Sequence, residues 1–155
     1  MNGNELECID ILCIEYKNRP ADERLGLMSQ KILNKIINHG STCDLIDAVH
    51  KLQSNIDGFD LQWKQSFTIM DRLLRDEKVD DLRNFFLKQQ IPLPSNSSKQ
   101  YYIVKNARYT YMQYFSKLIN LMKNKSSNSV WQDKLYTKMI KSGYDETKIK
   151  FIIHQ

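Results

Sequence analysis

The stretch QYYIVKNARYTYMQYFSKLINLMK, residues 100–123, decides the class of fold that this sequence predicts. Its apolar residues recur at intervals of three and four, which is the period of a helix that buries one face. The spacing predicts one long helix, the longest in the chain. Its buried face is expected to consist of Ile103, Ala107, Tyr111, Tyr114, Leu118 and Leu121.

The same stretch is basic, and its charge is not balanced locally. No acidic residue occurs between Gln100 and Gln132, so nothing in this helix neutralises its lysines and arginine. Residues 1–60 contain ten acids and six bases, whereas residues 100–155 contain three acids and ten bases. Ten of the sixteen aromatic residues also fall in residues 100–155. This composition is typical of a surface that meets a polyanion or an acidic partner.

The rest of the chain shows the same helical period. Only five glycines and three prolines occur in 155 residues, and 41 % of the residues are hydrophobic, which argues against disorder and against a turn-rich sheet protein. We predict an all-α fold, a compact single-domain bundle of seven to eight helices over residues 1–155. A Pro/Ser loop at residues 91–99 is expected to separate an acidic N-terminal half from the basic, aromatic-rich C-terminal third at residues 100–155.

Several helix ends can be assigned from capping residues. Gly40 lies where a left-handed C-terminal cap belongs, and Ser41 with Asp44 forms a weak capping box for a short third helix. Gly143 is predicted to end one helix and Asp145 to begin the last.

The fourth helix is predicted to supply much of the core. Its pattern places one set of side chains inside, namely Trp63, Phe67, Met70 and Leu74. A second set is expected on the opposite side, namely Lys64, Gln65, Asp71, Arg72 and Arg75.

Few residues suggest catalysis. The sequence has no glycine-rich phosphate loop, nucleophile elbow, HExxH or calcium loop. Three cysteines without a CxxC pair argue against a disulfide framework or a zinc knuckle. An enzyme would have to use Cys43 at a helix start, or His50 with Asp47. We therefore predict no enzymatic activity, no catalytic residue, no metal and no cofactor.

Location is predicted from two missing sequence patterns. No segment approaches the roughly 20 apolar residues of a membrane span, and the N-terminus lacks the pattern of a signal peptide. We expect no transmembrane segment and an intracellular location, cytoplasmic or nuclear.

The basic third supplies the candidate binding surface. Lysine outnumbers arginine there, which suits diffuse attraction of phosphates better than the reading of bases. One helix cannot bury all of its tyrosines, so some are expected to be exposed, as at protein interfaces. The predicted binding surface consists of Lys105, Arg108, Tyr109, Lys117, Lys123, Lys125, Lys134, Lys138 and Lys141.

Two resemblances to known families concern longer patterns. The run WKQSFTIM at residues 63–70, followed by LLR at 73–75 and VKNARY at 104–109, resembles successive helices of membrane-trafficking adaptor domains of the epsin and clathrin-assembly type. The length, the helix count and the closing pattern from Leu135 to Ile153 are similar to the small apoptosis-regulator-like bundles that poxviruses use against host signalling. The first resemblance implies an adaptor and the second an inhibitor.

The lead hypothesis is a non-enzymatic protein–protein interaction module, an adaptor or inhibitor, that binds a protein partner through its Tyr- and Lys-rich C-terminal surface. The alternative is a protein that binds nucleic acid or an anionic membrane through the basic patch of residues 105–141. Three further interpretations stay open. The acidic half pairs with the basic third within the fold, or it does so in a head-to-tail homodimer, or the lysine-rich helix face is merely solvated.

Overall fold

The computed structural model describes residues 4–19, 22–56, 59–94, 100–125 and 129–155. The regular structure of these residues is entirely helical, which confirms the all-α prediction. Eight helices occur in the described part of the chain: α1 Asn4–Asn18, α2 Glu23–His39, α3 Thr42–Asn55, α4 Trp63–Arg75, α5 Val79–Lys88, α6 Tyr101–Lys125, α7 Ser129–Lys141 and α8 Glu146–Ile153. The predicted loop at 91–99 is non-helical through residue 94, and its remainder lies outside the described residues.

The helices group into two compact units, residues 1–69 and residues 70–155, which we call the N-terminal and C-terminal units. In the N-terminal unit α1, α2 and α3 pack against one another pairwise. Five apolar side chains at the centre of this packing are fully buried, namely Ile9, Leu33, Ile36, Leu45 and Leu52. Whether the whole chain behaves as one domain stays a prediction.

The C-terminal unit is organised around α6 and α7. Helix α6 contacts α5 and α8, and α7 contacts the same two helices. The rings of Phe86 on α5 and Phe115 on α6 lie 6.1 Å apart between centroids, within the range of favourable aromatic pairs. The predicted long helix therefore exists and is a central element of its unit.

The buried face of α6 is wider than predicted. Four of the residues predicted to be buried are buried, namely Ala107, Tyr111, Tyr114 and Leu118. Three further residues are buried as well: Phe115, Ile119 and Met122. The predicted burial was wrong for two residues: the side chain of Ile103 is 56 % exposed, and that of Leu121 is only half-buried. These two residues are about five full turns apart and therefore share one edge of the buried face.

Helix α4 is rotated relative to the prediction. Trp63, Phe67 and Leu74 are half-buried, whereas Gln65 is buried. The Gln65 side-chain amide donates to Gln30 Oε1 at 2.7 Å and to Asn34 Oδ1 at 2.9 Å. Its own oxygen accepts from the main-chain N–H of Gln62. A polar side chain can be buried when it is hydrogen-bonded in this way, so the predicted outward position of Gln65 was wrong.

The helix ends agree with the predicted caps in most cases. Ser41 accepts from the N–H of Asp44 at 3.1 Å, and Asp145 accepts from the N–H of Thr147 at 2.8 Å, as N-caps do. Helix α3 is longer than the short helix predicted. Gly40 caps α2 in an extended conformation, with φ −85° and ψ 164°, so the left-handed cap predicted there was wrong. A side chain is disfavoured at Gly40 for another reason, because an added Cβ would lie 2.8 Å from the Ile36 carbonyl oxygen.

None of the helices in the described ranges is both long and apolar enough to cross a membrane. The three cysteines form no disulfide: Cys8 and Cys43 are exposed and Cys13 is buried. Burial raises the pKa of the Cys13 thiol.

Helices α4 and α7 end in the same backbone motif. The N–H of Tyr144 donates to the carbonyl of Met139, and Gly143 between them has a left-handed φ of 81°. The N–H of Lys78 likewise donates to the carbonyl of Leu73, but here Glu77 occupies the left-handed position with φ 53°. This Schellman arrangement favours glycine, since a side chain at positive φ is strained.

We expect Glu77→Gly to stabilise the protein and Gly143→Ala to destabilise it, each by about 1 kcal/mol, because one substitution removes a strained side chain and the other adds one. Thermal melting followed by circular dichroism measures both. Glu77→Gly also removes the ion pair of Glu77 with Lys125, but this pair is exposed and contributes little to the free energy of unfolding. Shifts of the same sign for the two variants would contradict the assignment.

Candidate interaction surface

The exposed side of α6 displays tyrosines. Tyr102 is 73 % exposed and Tyr109 is 66 % exposed, and they lie two turns apart on the side opposite the buried face. Gln113 and Asn120 continue the line along the helix and are also exposed. We call this stripe, Tyr102, Tyr109, Gln113 and Asn120, the α6 outer face.

Two exposed lysines flank the α6 outer face. Lys105 and Lys117 fall on opposite sides of the stripe when the helix is viewed along its axis. The ammonium of Lys117 lies 5.1 Å from the centroid of the Tyr114 ring, a cation–π distance. The structure therefore places three predicted site residues, Lys105, Tyr109 and Lys117, along one side of one helix.

Arg108 has a different environment from the other predicted site residues. Its Nη1 donates to the carbonyl oxygens of Pro92 at 2.9 Å and Ser142 at 2.8 Å. Its guanidinium carbon lies 4.1 Å from the centroid of the Tyr144 ring, and the Tyr144 hydroxyl donates to the Arg108 carbonyl at 2.8 Å. Burial raises the pKa of Tyr144 to about 12. Arg108 thus binds the protein's own backbone, which leaves its guanidinium little freedom to meet a partner.

Two lysines at the end of α6 also make internal contacts. Lys123 Nζ donates to the main-chain oxygen of Gln155 at 2.6 Å. Lys125 Nζ lies 2.8 Å from Glu77, and both of these side chains are about half exposed. An exposed pair of this kind is weak and breaks readily in salt.

The remaining three predicted lysines line a groove along α7. Lys134, Lys138 and Lys141 follow one another at helical spacing around a cavity of about 520 Å³. Its other lining residues are Leu87 of α5 and Val130, Asp133 and Thr137 of α7. Lys138 donates to the Gln89 carbonyl, and burial lowers the pKa of its ammonium. The nine predicted residues therefore do not form one surface. Some lie along α6, others line the groove of α7, and several, including Lys138 of that groove, bond to other parts of the protein.

Two residues of the C-terminal unit belong to candidate sites in the structure but were not among the predicted binding residues. Tyr102 belongs to the most exposed part of the α6 outer face, and its seven-residue spacing from Tyr109 was the available signal. Arg83 of α5 is buried and its guanidinium lies against the indole ring of Trp131. No local pattern predicts that contact, because the partners are far apart in the sequence.

The residues considered for catalysis form no recognisable constellation. Cys43 and His50 are exposed on α3, and Asp47 pairs with Lys51, which also contacts Asp10. Within the described ranges no three His, Cys, Asp or Glu side chains are grouped as metal ligands.

The chain matches no known protein-family model, no curated protein and no solved structure at a significant level. The resemblances to trafficking adaptors and to poxviral bundles therefore stay hypotheses from the sequence.

We expect Arg108→Ala to lower the free energy of unfolding by about 2–4 kcal/mol, because it removes two charge-assisted hydrogen bonds and a ring contact. Lys105→Ala, one turn away on the exposed side, is the matched control and should change it by less than about 0.5 kcal/mol. Urea denaturation followed by tryptophan fluorescence gives both values. Equal, small effects would show that Arg108 does not hold its neighbouring segments in place.

Proposed function

We propose that this chain is a non-enzymatic protein-interaction module, an adaptor or inhibitor, that binds an acidic protein surface through the α6 outer face. The observation that supports this most directly is the exposure of Tyr102 and Tyr109 on a single helical stripe. Tyrosine is enriched among residues that dominate binding energy, because its ring buries a large area and its hydroxyl forms a hydrogen bond.

The charge around the stripe supports an acidic partner. Lys105 and Lys117 flank the tyrosines, and α6 contains no acid that would repel a carboxylate. Such a distribution accelerates encounter with a negatively charged surface and disfavours basic partners. In this proposal the tyrosines supply most of the affinity, and the lysines supply orientation and rate.

The alternative function, binding of nucleic acid or an anionic membrane through residues 105–141, would draw on the same lysines together with those of the α7 groove. It differs from the lead proposal in its dependence on salt. A polyanion binder loses affinity steeply as salt rises, because each neutralised phosphate releases counterions. Binding anchored by aromatic side chains depends less on salt.

The test is affinity capture from lysate of cells that produce the protein, with nuclease treatment and at low and high salt. Tyr102→Ala/Tyr109→Ala should weaken the affinity for the captured protein at least tenfold, by about 1.4 kcal/mol or more, and thereby lower its recovery. Phe151→Ala is the matched control, since Phe151 is a similarly exposed aromatic residue on α8. That control should bind as the wild-type protein does.

Charge reversal tests the electrostatic part separately. Lys105→Glu should slow association with the captured partner and reduce its salt dependence, whereas Lys148→Glu, an equal change at an exposed position of α8, should have little effect. Association rates by surface plasmon resonance give this comparison. Recovery that disappears with nuclease, or that is indifferent to both tyrosines, would contradict the proposal.

A further inference from the structure

The guanidinium of Arg83 is buried in an unusual state. The residue is 7 % exposed, and its Nη2 donates to the carboxylate of Asp80. Its Nε and Nη1 are buried and have no hydrogen-bond partner. Leaving a buried donor unpaired is unfavourable, and more so when the group is charged. A cation with two unmet donors would gain from an additional acceptor if the side chains that enclose it moved.

A second cation lies beside this group. The Arg83 guanidinium carbon is 4.6 Å from the centroid of the Trp131 ring, and Lys134 Nζ is 4.7 Å from the same ring. The two charges are therefore separated by no more than the sum of these distances. Two like charges beside one ring repel each other, and an anion held near both would relieve the repulsion.

The surroundings favour a doubly charged anion. Lys134 also lines the α7 groove together with Lys138 and Lys141, and Asp133 is the acidic residue of that lining. Asp80 is the carboxylate bonded to Arg83 and is largely exposed. Counted together, Arg83 and the three lysines of the groove outnumber these two carboxylates, which leaves a net positive charge. Arginine and lysine together are a common combination for phosphate groups.

We propose that Arg83, Trp131 and Lys134 form a binding site for a phosphate group, carried by inorganic phosphate or by a phosphate monoester. The Arg83 nitrogens and Lys134 donate to the phosphate oxygens. Because the two unpaired nitrogens are buried, binding requires the half-buried Trp131 ring to move from its position against the guanidinium. This site uses none of the residues of the α6 outer face and is independent of the function proposed there.

Trp131 provides the reporter for the test. In a Trp63→Phe background Trp131 is the sole tryptophan of the chain, since the sequence contains two. Inorganic phosphate and O-phosphoserine are titrated separately at constant ionic strength, with sodium chloride as the reference for unspecific screening. Saturable change of the Trp131 emission with either probe is expected. A preference for phosphoserine identifies a phosphorylated side chain as the source, and a preference for phosphate identifies the free ion.

Variants decide which residues bind. Lys134→Gln should weaken the affinity for the better probe about tenfold, because it removes an exposed cation without disturbing the core. Lys148→Gln, the same change on α8 outside the groove lining, should leave it unchanged. Arg83→Lys keeps the charge and should still lose most of the affinity, provided that its circular dichroism spectrum is that of the parent. Absence of a saturable response to both probes, or equal affinities of the two lysine variants, would overturn the proposal.

Discussion

The hydrogen bonds of Arg108 join parts of the C-terminal unit that are far apart in the sequence. One guanidinium nitrogen binds the carbonyls of Pro92, before α6, and Ser142, at the turn after α7, and the same group lies against Tyr144. These two segments belong to different parts of the chain, and a single charged side chain of α6 bonds to both. Burial of Tyr111, Phe115 and Leu118 sets the rotation of α6 about its axis, and the contacts of Arg108 fit that rotation. The α6 outer face is the consequence.

The fold was predictable to the extent that it depends on local periodicity. The spacing of Ala107, Tyr111 and Leu118 located the buried side of α6, but periodicity gives the direction of a face and not its width. For that reason Ile103 and Leu121, at one edge, were misplaced. The prediction for Gln65 was wrong for a different reason. The burial of this side chain depends on two hydrogen bonds to α2, and hydrogen bonds between residues so far apart in the sequence leave no local pattern.

The candidate site was predictable in composition but not in arrangement. Counting charges located the basic third, and the number of tyrosines required that some be exposed. No pattern in the sequence separates lysines that face solvent from those that bond to a carbonyl, such as Lys123 with Gln155 and Lys138 with Gln89. A basic stretch therefore has two physical roles here. Some cations bond to carbonyl groups of the protein itself, and the others face solvent.

The distribution of cysteines has a chemical consequence. Cys8, Cys13 and Cys43 all belong to the N-terminal unit, and two of them are exposed, whereas residues 70–155 contain none. Reagents that are selective for thiols therefore modify the N-terminal unit alone. The lysines and tyrosines of α6 and the indole of α7 belong to a unit that such reagents leave covalently unchanged. Thiol chemistry and the α6 outer face thus belong to different parts of one chain.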